Sequence, residues 1–158
     1  MSIPLYGQNK AGEALGSVSQ SRGYLSITAG LTLDGTEGGV ISVADTDACA
    51  IVLPEITASL HGLEYKFIMA VDAGGSITIT STDQAGDYYQ GTLAVHQVDA
   101  DDGFAANGSS NNVITMNAGT TGGLLGSEVN VRAHYKTGWI VWGNVFGTNG
   151  TAATPFSG

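Results

Sequence analysis

Positive charge is scarce in this chain: five Lys and Arg stand against fourteen Asp and Glu in 158 residues, for a formal net charge of −9. A phosphate backbone must be neutralised by clustered Lys or Arg, whereas Lys10, Arg22, Lys66, Arg132 and Lys136 are scattered. Nucleic acid is therefore not an expected partner. Cysteine is reduced to one residue, Cys49, so no disulfide can form within the chain, and packing or association with other chains must hold the fold. Between Ala48 and Ala50 this thiol reads as a small buried apolar group. Long hydrophobic runs are missing too. No stretch approaches the ~18 apolar residues of a membrane span, and MSIPLYGQNKAGEALG has no basic segment followed by an apolar one. The expectation is a soluble chain, made without secretion and without a membrane partner.

Charged residues make up 12% of the chain, against a usual share of ~25%. What is abundant is glycine, at 24 residues, together with Ser, Thr and Asn. Val, Ile, Thr and aromatics recur in short runs between turn residues, which is a β pattern. Eight runs stand out: GGVISVA (38–44), AIVLP (50–54), LEYKFIMAV (63–71), SITITS (76–81), DYYQGTLAV (87–95), NVITMN (112–117), EVNVRAHY (128–135) and GWIVWGNV (138–145). A spacing near ten residues predicts one all-β domain over 31–147, an antiparallel sandwich or jelly-roll-like barrel of about eight strands. The connections AVDAGGSIT and YKTGWIV carry glycine where a tight turn needs positive φ, so both read as hairpins. DADDGFAANGSSNN (99–112) reads as the longest polar loop. In LEYKFIMAV, Ile68 and Ala70 make a second face apolar, as burial on both sides would require. Residues 1–30, with Gly7, Gly12, Gly16, Gly23 and Gly30 between single apolar residues, and residues 148–158 read as extended terminal arms.

No motif assembles a catalytic centre. Counted from Asp99, DADDG puts its glycine at position five and Ser110 at position twelve, which fails the EF-hand pattern. His61, His96 and His134 lack zinc-ligand spacing. There is no G-x-S-x-G, no carboxylate in a distinctive aromatic setting and no phosphate-binding glycine loop. No catalytic residue, metal or cofactor is expected, and a small hydrolase is the weakest reading. Aromatics could stack against sugars: Tyr88, Tyr89, Trp139 and Trp142. A period of two, however, sends Trp139 and Trp142 to opposite faces of their strand. They cannot both meet one ligand, and core packing or a subunit interface takes precedence.

The succession VLPEITASLHGLEYKFI, GGSITITS, GDYYQG and KTGWIVWGN resembles β-rich virion proteins of tailed bacteriophages, over roughly residues 30–147. Tyr135, Lys136 and Thr137 stand where that pattern often has an acidic turn. A single module with two short arms resembles most a capsid decoration, or cement, protein. The resemblance implies a non-enzymatic homotrimer, made in the host cytoplasm, that binds the major capsid protein on the virion surface and stabilises the shell. Ile3, Leu5, Tyr6, Leu15, Arg22 and Tyr24 are then the expected capsid or subunit contacts. The alternative is a fibre or spike module that binds a host-surface glycan.

Overall fold

The computed structural model describes residues 24–37, 39–82, 87–148 and 150–158. In chain order the first strands are β1 (Tyr24–Ile27), β2 (Leu31–Thr32), β3 (Gly39–Val43), β4 (Cys49–Val52), β5 (Glu64–Met69) and β6 (Ile77–Thr80). They continue with β7 (Tyr89–His96), β8 (Asp101–Asn107), β9 (Val113–Met116), β10 (Glu128–His134), β11 (Gly138–Phe146) and β12 (Phe156–Ser157). The only helical piece among the described residues is one 3-10 turn, Ala58–Leu60. Two sheets pack as a sandwich: seven strands in the order β1-β3-β5-β10-β11-β7-β8, and five in the order β12-β9-β6-β4-β2.

The all-β class is as expected, the sandwich is the form taken of the two expected, and each of the eight runs forms a strand. Among the described residues there are twelve strands rather than eight. Two of the additional ones, β1 and β2, extend the sandwich back to Tyr24, within the expected N-terminal arm and at the edge of the expected domain. β12 brings the expected C-terminal tail into the five-stranded sheet, with Phe156 buried. The fourth, β8, replaces half of the expected polar loop: Asp101–Asn107 pairs antiparallel with β7 along its whole length. As an edge strand it buries little, and its Phe104 and Ala106 only lean on the core, so its alternation is faint in sequence.

Strand direction departs from a wholly antiparallel sandwich, because five of the ten pairings among the described residues are parallel. From β1 to β6 the chain alternates between sheets, so β1, β3 and β5 stack in parallel in one while β2, β4 and β6 stack in parallel in the other. A crossover through the opposite sheet thus does the work that a helix does in a βαβ unit. It also corrects one expected hairpin: β5 and β6 lie in different sheets, and AVDAGGSIT carries the chain between them. The glycines there serve close approach rather than a tight turn. A Cβ on Gly74 would stand 2.2 Å from the Thr46 carbonyl oxygen in the β3–β4 connection stacked beside it. The second expected hairpin is present, with His134 opposite Gly138 and Lys136 at φ 73°.

The core lies between the sheets. Tyr65, Phe67 and Met69 of β5 alternate inward, as do Val129, Val131 and Ala133 of β10. Ile68 is half-buried and Ala70 exposed, so β5 is buried on one side only. The Tyr89 hydroxyl donates to the Ile79 carbonyl at 3.0 Å, a buried bond from one sheet to the other. Cys49 is buried in this core, where loss of solvation pushes its thiol pKa up, with Asp45 adding to the effect.

Candidate functional site

Period-two alternation gives the seven-stranded sheet a second, outward face. The register aligns Tyr24, Val40, Lys66, Asn130, Trp142 and Thr92 in one row across it. Trp139 goes into the core, fully buried, while Trp142 faces out at 38% exposure. Of the paired tyrosines, Tyr89 is buried and Tyr88 half-buried. The four aromatics therefore do not form one platform, and Trp142 is the member left on this face.

Charge on the outer face is paired. Lys66 Nζ lies 2.8 Å from Glu128 Oε2, and Asn130 Nδ2 donates to Glu128 Oε1 at 2.8 Å. The Lys66 bond, followed by that from Asn130, holds the Glu128 carboxyl below the usual carboxylate range. Arg132 pairs with Glu64, and its guanidinium carbon sits 5.4 Å from the centroid of the Trp142 ring. That stack is a cation–π contact, which ties the orientation of the indole to an ion pair. Beside the ring is a concavity of about 150 Å³ lined by Val40, Glu64, Lys66, Asn130 and Trp142, with Gly39 and Tyr65.

At one end of the same face, His96 Nδ1 lies 3.1 Å from Asp101 Oδ1 and Nε2 lies 3.0 Å from Asn144 Oδ1, with the ring stacked on Phe146. Both partners are acceptors, so the doubly protonated ring satisfies both. The bond to Asn144, opposed by partial desolvation and aided by Asp101, raises the His96 pKa above its usual value. Because the folded value is raised, this contribution is complete below the unfolded pKa of ~6.5 and is lost as pH rises through the folded value. An NMR titration of His96 is expected to give a midpoint above ~6.5 that falls in Asn144→Ala; a midpoint unmoved by the substitution would remove the assigned cause.

Comparison with protein-family models, curated proteins and solved structures finds no match.

Of the expected contacts, Tyr24 is placed: it opens β1 on the outer face at 71% exposure. Ile3, Leu5, Tyr6, Leu15 and Arg22 lie outside the described residues. His61 and His134, far apart in sequence, meet with ring centroids 4.9 Å apart. The Tyr135 N–H donates to His61 Nδ1, which occupies that lone pair. Among the described residues, no group of three His, Cys, Asp or Glu could hold a metal ion, and no helix is long and apolar enough to cross a membrane.

Strand direction gathers one feature that sequence reasoning missed. The connections β3–β4, β5–β6 and β7–β8 all emerge at the end of the sandwich where β8 begins, and they carry Asp45, Asp47, Asp72 and Asp99 to it beside Asp101 and Asp102. Val98 at 74%, Leu125 at 63% and Phe146 at 40% are exposed at this end. Asp72 accepts the Leu125 N–H at 2.7 Å, holding the β9–β10 connection in place. The opposite end has an open groove of about 430 Å³ between β2 and the Leu53–Leu60 stretch, with Asp34 and Glu55 on its wall. Hydrogen bonds from the Thr36 hydroxyl and N–H keep the Asp34 carboxyl below its usual pKa, so it is an acceptor rather than a proton donor near neutral pH.

Proposed function

We propose that this chain is a structural protein of a phage virion that binds the outer surface of the capsid and stabilises it as a decoration, or cement, protein. Its partner in this reading is the major capsid protein, its assembly a homotrimer, and its place the virion surface after synthesis in the host cytoplasm. The phage-like succession of motifs is the starting point. The observation that carries the reading to a surface is the aspartate-rich end with Val98, Leu125 and Phe146 exposed among the carboxylates. Apolar side chains set among one sign of charge suit a basic protein surface: the charges steer the encounter and the apolar groups lose water on contact. Repeated attachment on a shell then adds avidity to a contact that is weak in one copy.

The test is co-sedimentation with capsids that lack the protein, read together with capsid melting and with light scattering for the trimer. Binding and a raised capsid melting temperature are expected. A triple Asp72→Lys, Asp99→Lys, Asp102→Lys variant should lose binding, whereas Asp34→Lys with Glu55→Lys at the far end should keep it. Deletion of residues 2–23 should also abolish binding with the β-sheet circular dichroism unchanged. Retention by the triple variant would eliminate the acidic end as the contact, and a wild-type chain that never sediments with capsids would end the virion reading.

A further inference from the structure

We propose that the concavity beside Trp142 on the outer face of the seven-stranded sheet is a binding subsite for a neutral saccharide. This goes beyond the capsid-decoration reading and does not depend on it; it gives the glycan alternative a named site and ligand class. A sugar ring offers an apolar C–H face and a rim of hydroxyls, so a site for it needs a flat apolar ring with donors and acceptors at its edge. Trp142 supplies the flat ring. Lys66, Glu64 and Asn130 supply the polar edge, and the half-open concavity of about 150 Å³ suits one sugar ring rather than a helix or a protein loop.

Two further observations select this ligand class. The cations here, Lys66 and Arg132, are each paired with a carboxylate, Glu128 and Glu64, so the face has little net charge to offer an acidic sugar or a phosphate. The chain's overall −9 also repels polyanions. The indole is already oriented by the Glu64–Arg132 pair stacked against it, which lowers the ordering cost of binding. Tyr24 lies in the same register row, four strand spacings away. At ~4.8 Å per spacing, this places a second exposed aromatic ~19 Å from Trp142, room for a short oligosaccharide lying across the strands.

In this assignment Trp142 is the stacking residue, Lys66, Glu64 and Asn130 are hydrogen-bonding residues, and Arg132 is a positioning residue that acts through the indole. Calorimetry with the full chain should use neutral tri- to pentasaccharides of glucose, galactose, mannose and N-acetylglucosamine. A Trp139→Phe form adds a direct reporter, because Trp142 is then the only tryptophan of the chain. At least one probe is expected to bind and shift Trp142 emission. Trp142→Ala should weaken that binding by about tenfold or more, corresponding to the loss of one buried aromatic face. Arg132→Ala should weaken it less and should broaden the emission of the reporter form. Tyr135→Ala, an exposed aromatic in the β10–β11 hairpin, should leave affinity unchanged. Uronate-containing oligosaccharides of the same length should bind more weakly than neutral ones. The proposal is overturned if no neutral probe produces heat or an emission change at tens of millimolar, or if a bound probe is indifferent to Trp142→Ala. Capsid binding is read in a separate assay, so either function can fail alone.

Discussion

Trp139→Ala is expected to lower the stability of the folded chain by about 3–5 kcal/mol, the range for removing a large buried aromatic. It would be measured as a fall in the denaturation midpoint with an unchanged slope. Trp139 is fully buried, with its ring centroid 6.0 Å from that of Tyr65, and its strand is paired on both sides, to β10 and to β7. A cavity there has few routes to collapse. Trp139→Phe should behave differently. Among the described residues the indole Nε1 of Trp139 is buried without a hydrogen-bond partner, and an unsatisfied buried donor costs about 1–3 kcal/mol. Phenylalanine removes that penalty while keeping most of the ring, so a net loss under about 1.5 kcal/mol is expected. Equal losses for the two variants would mean that the N–H is satisfied in solution. Three positions along, Trp142→Ala should cost no more than about 1 kcal/mol, because it gives up a half-exposed ring and one cation–π contact.

A second large effect is expected at Gly91. Its φ of 127° lies where side chains are rarely accommodated, and a Cβ would stand 2.0 Å from the Val141 carbonyl oxygen of the neighbouring strand. Gly91→Ala therefore combines backbone strain of about 1–3 kcal/mol with overpacking of similar size, for roughly 2–6 kcal/mol in all. β11 cannot simply move aside, being hydrogen-bonded to β10 on its other flank. Gly103→Ala on the next strand is the control: no atom lies within 4 Å of its Cβ position, so little change is expected. Denaturant midpoints of the pair would check this. A Gly91→Ala chain as stable as Gly103→Ala would show that the Val141 carbonyl of β11 does not crowd the Gly91 position of β7.

Both predictions turn on positions whose importance is only partly visible along the chain. GWIVWGNV announces a strand and, by its period, that Trp139 and Trp142 diverge. Which of them goes inside depends on which face of β11 meets the five-stranded sheet. The glycine in DYYQGTLAV looks like an interruption of a strand, and its role appears only once β11 lies parallel alongside. In the same way the pairs Glu64–Arg132 and Lys66–Glu128 each join residues more than sixty positions apart. No local spacing encodes such pairs.

What the sequence determined by itself was whatever depends on local period and composition: an all-β chain of the sandwich or barrel class, the eight strands with clear apolar runs, the hairpin at Lys136, the buried thiol of Cys49 and the divergence of the two tryptophans. These follow from alternation along a pleated chain and from turn residues, which act over a few positions. Tertiary structure alone decided the parallel winding of β1 to β6, the edge strand β8, the inclusion of Phe156 in the core and the gathering of scattered aspartates at one end. The physical reason is that strand direction and neighbour choice come from burying two faces against each other, which is a property of the whole sheet. A short edge strand such as β8 buries too little to leave a strong pattern, and a surface site such as that around Trp142 exists only where neighbouring strands supply its walls.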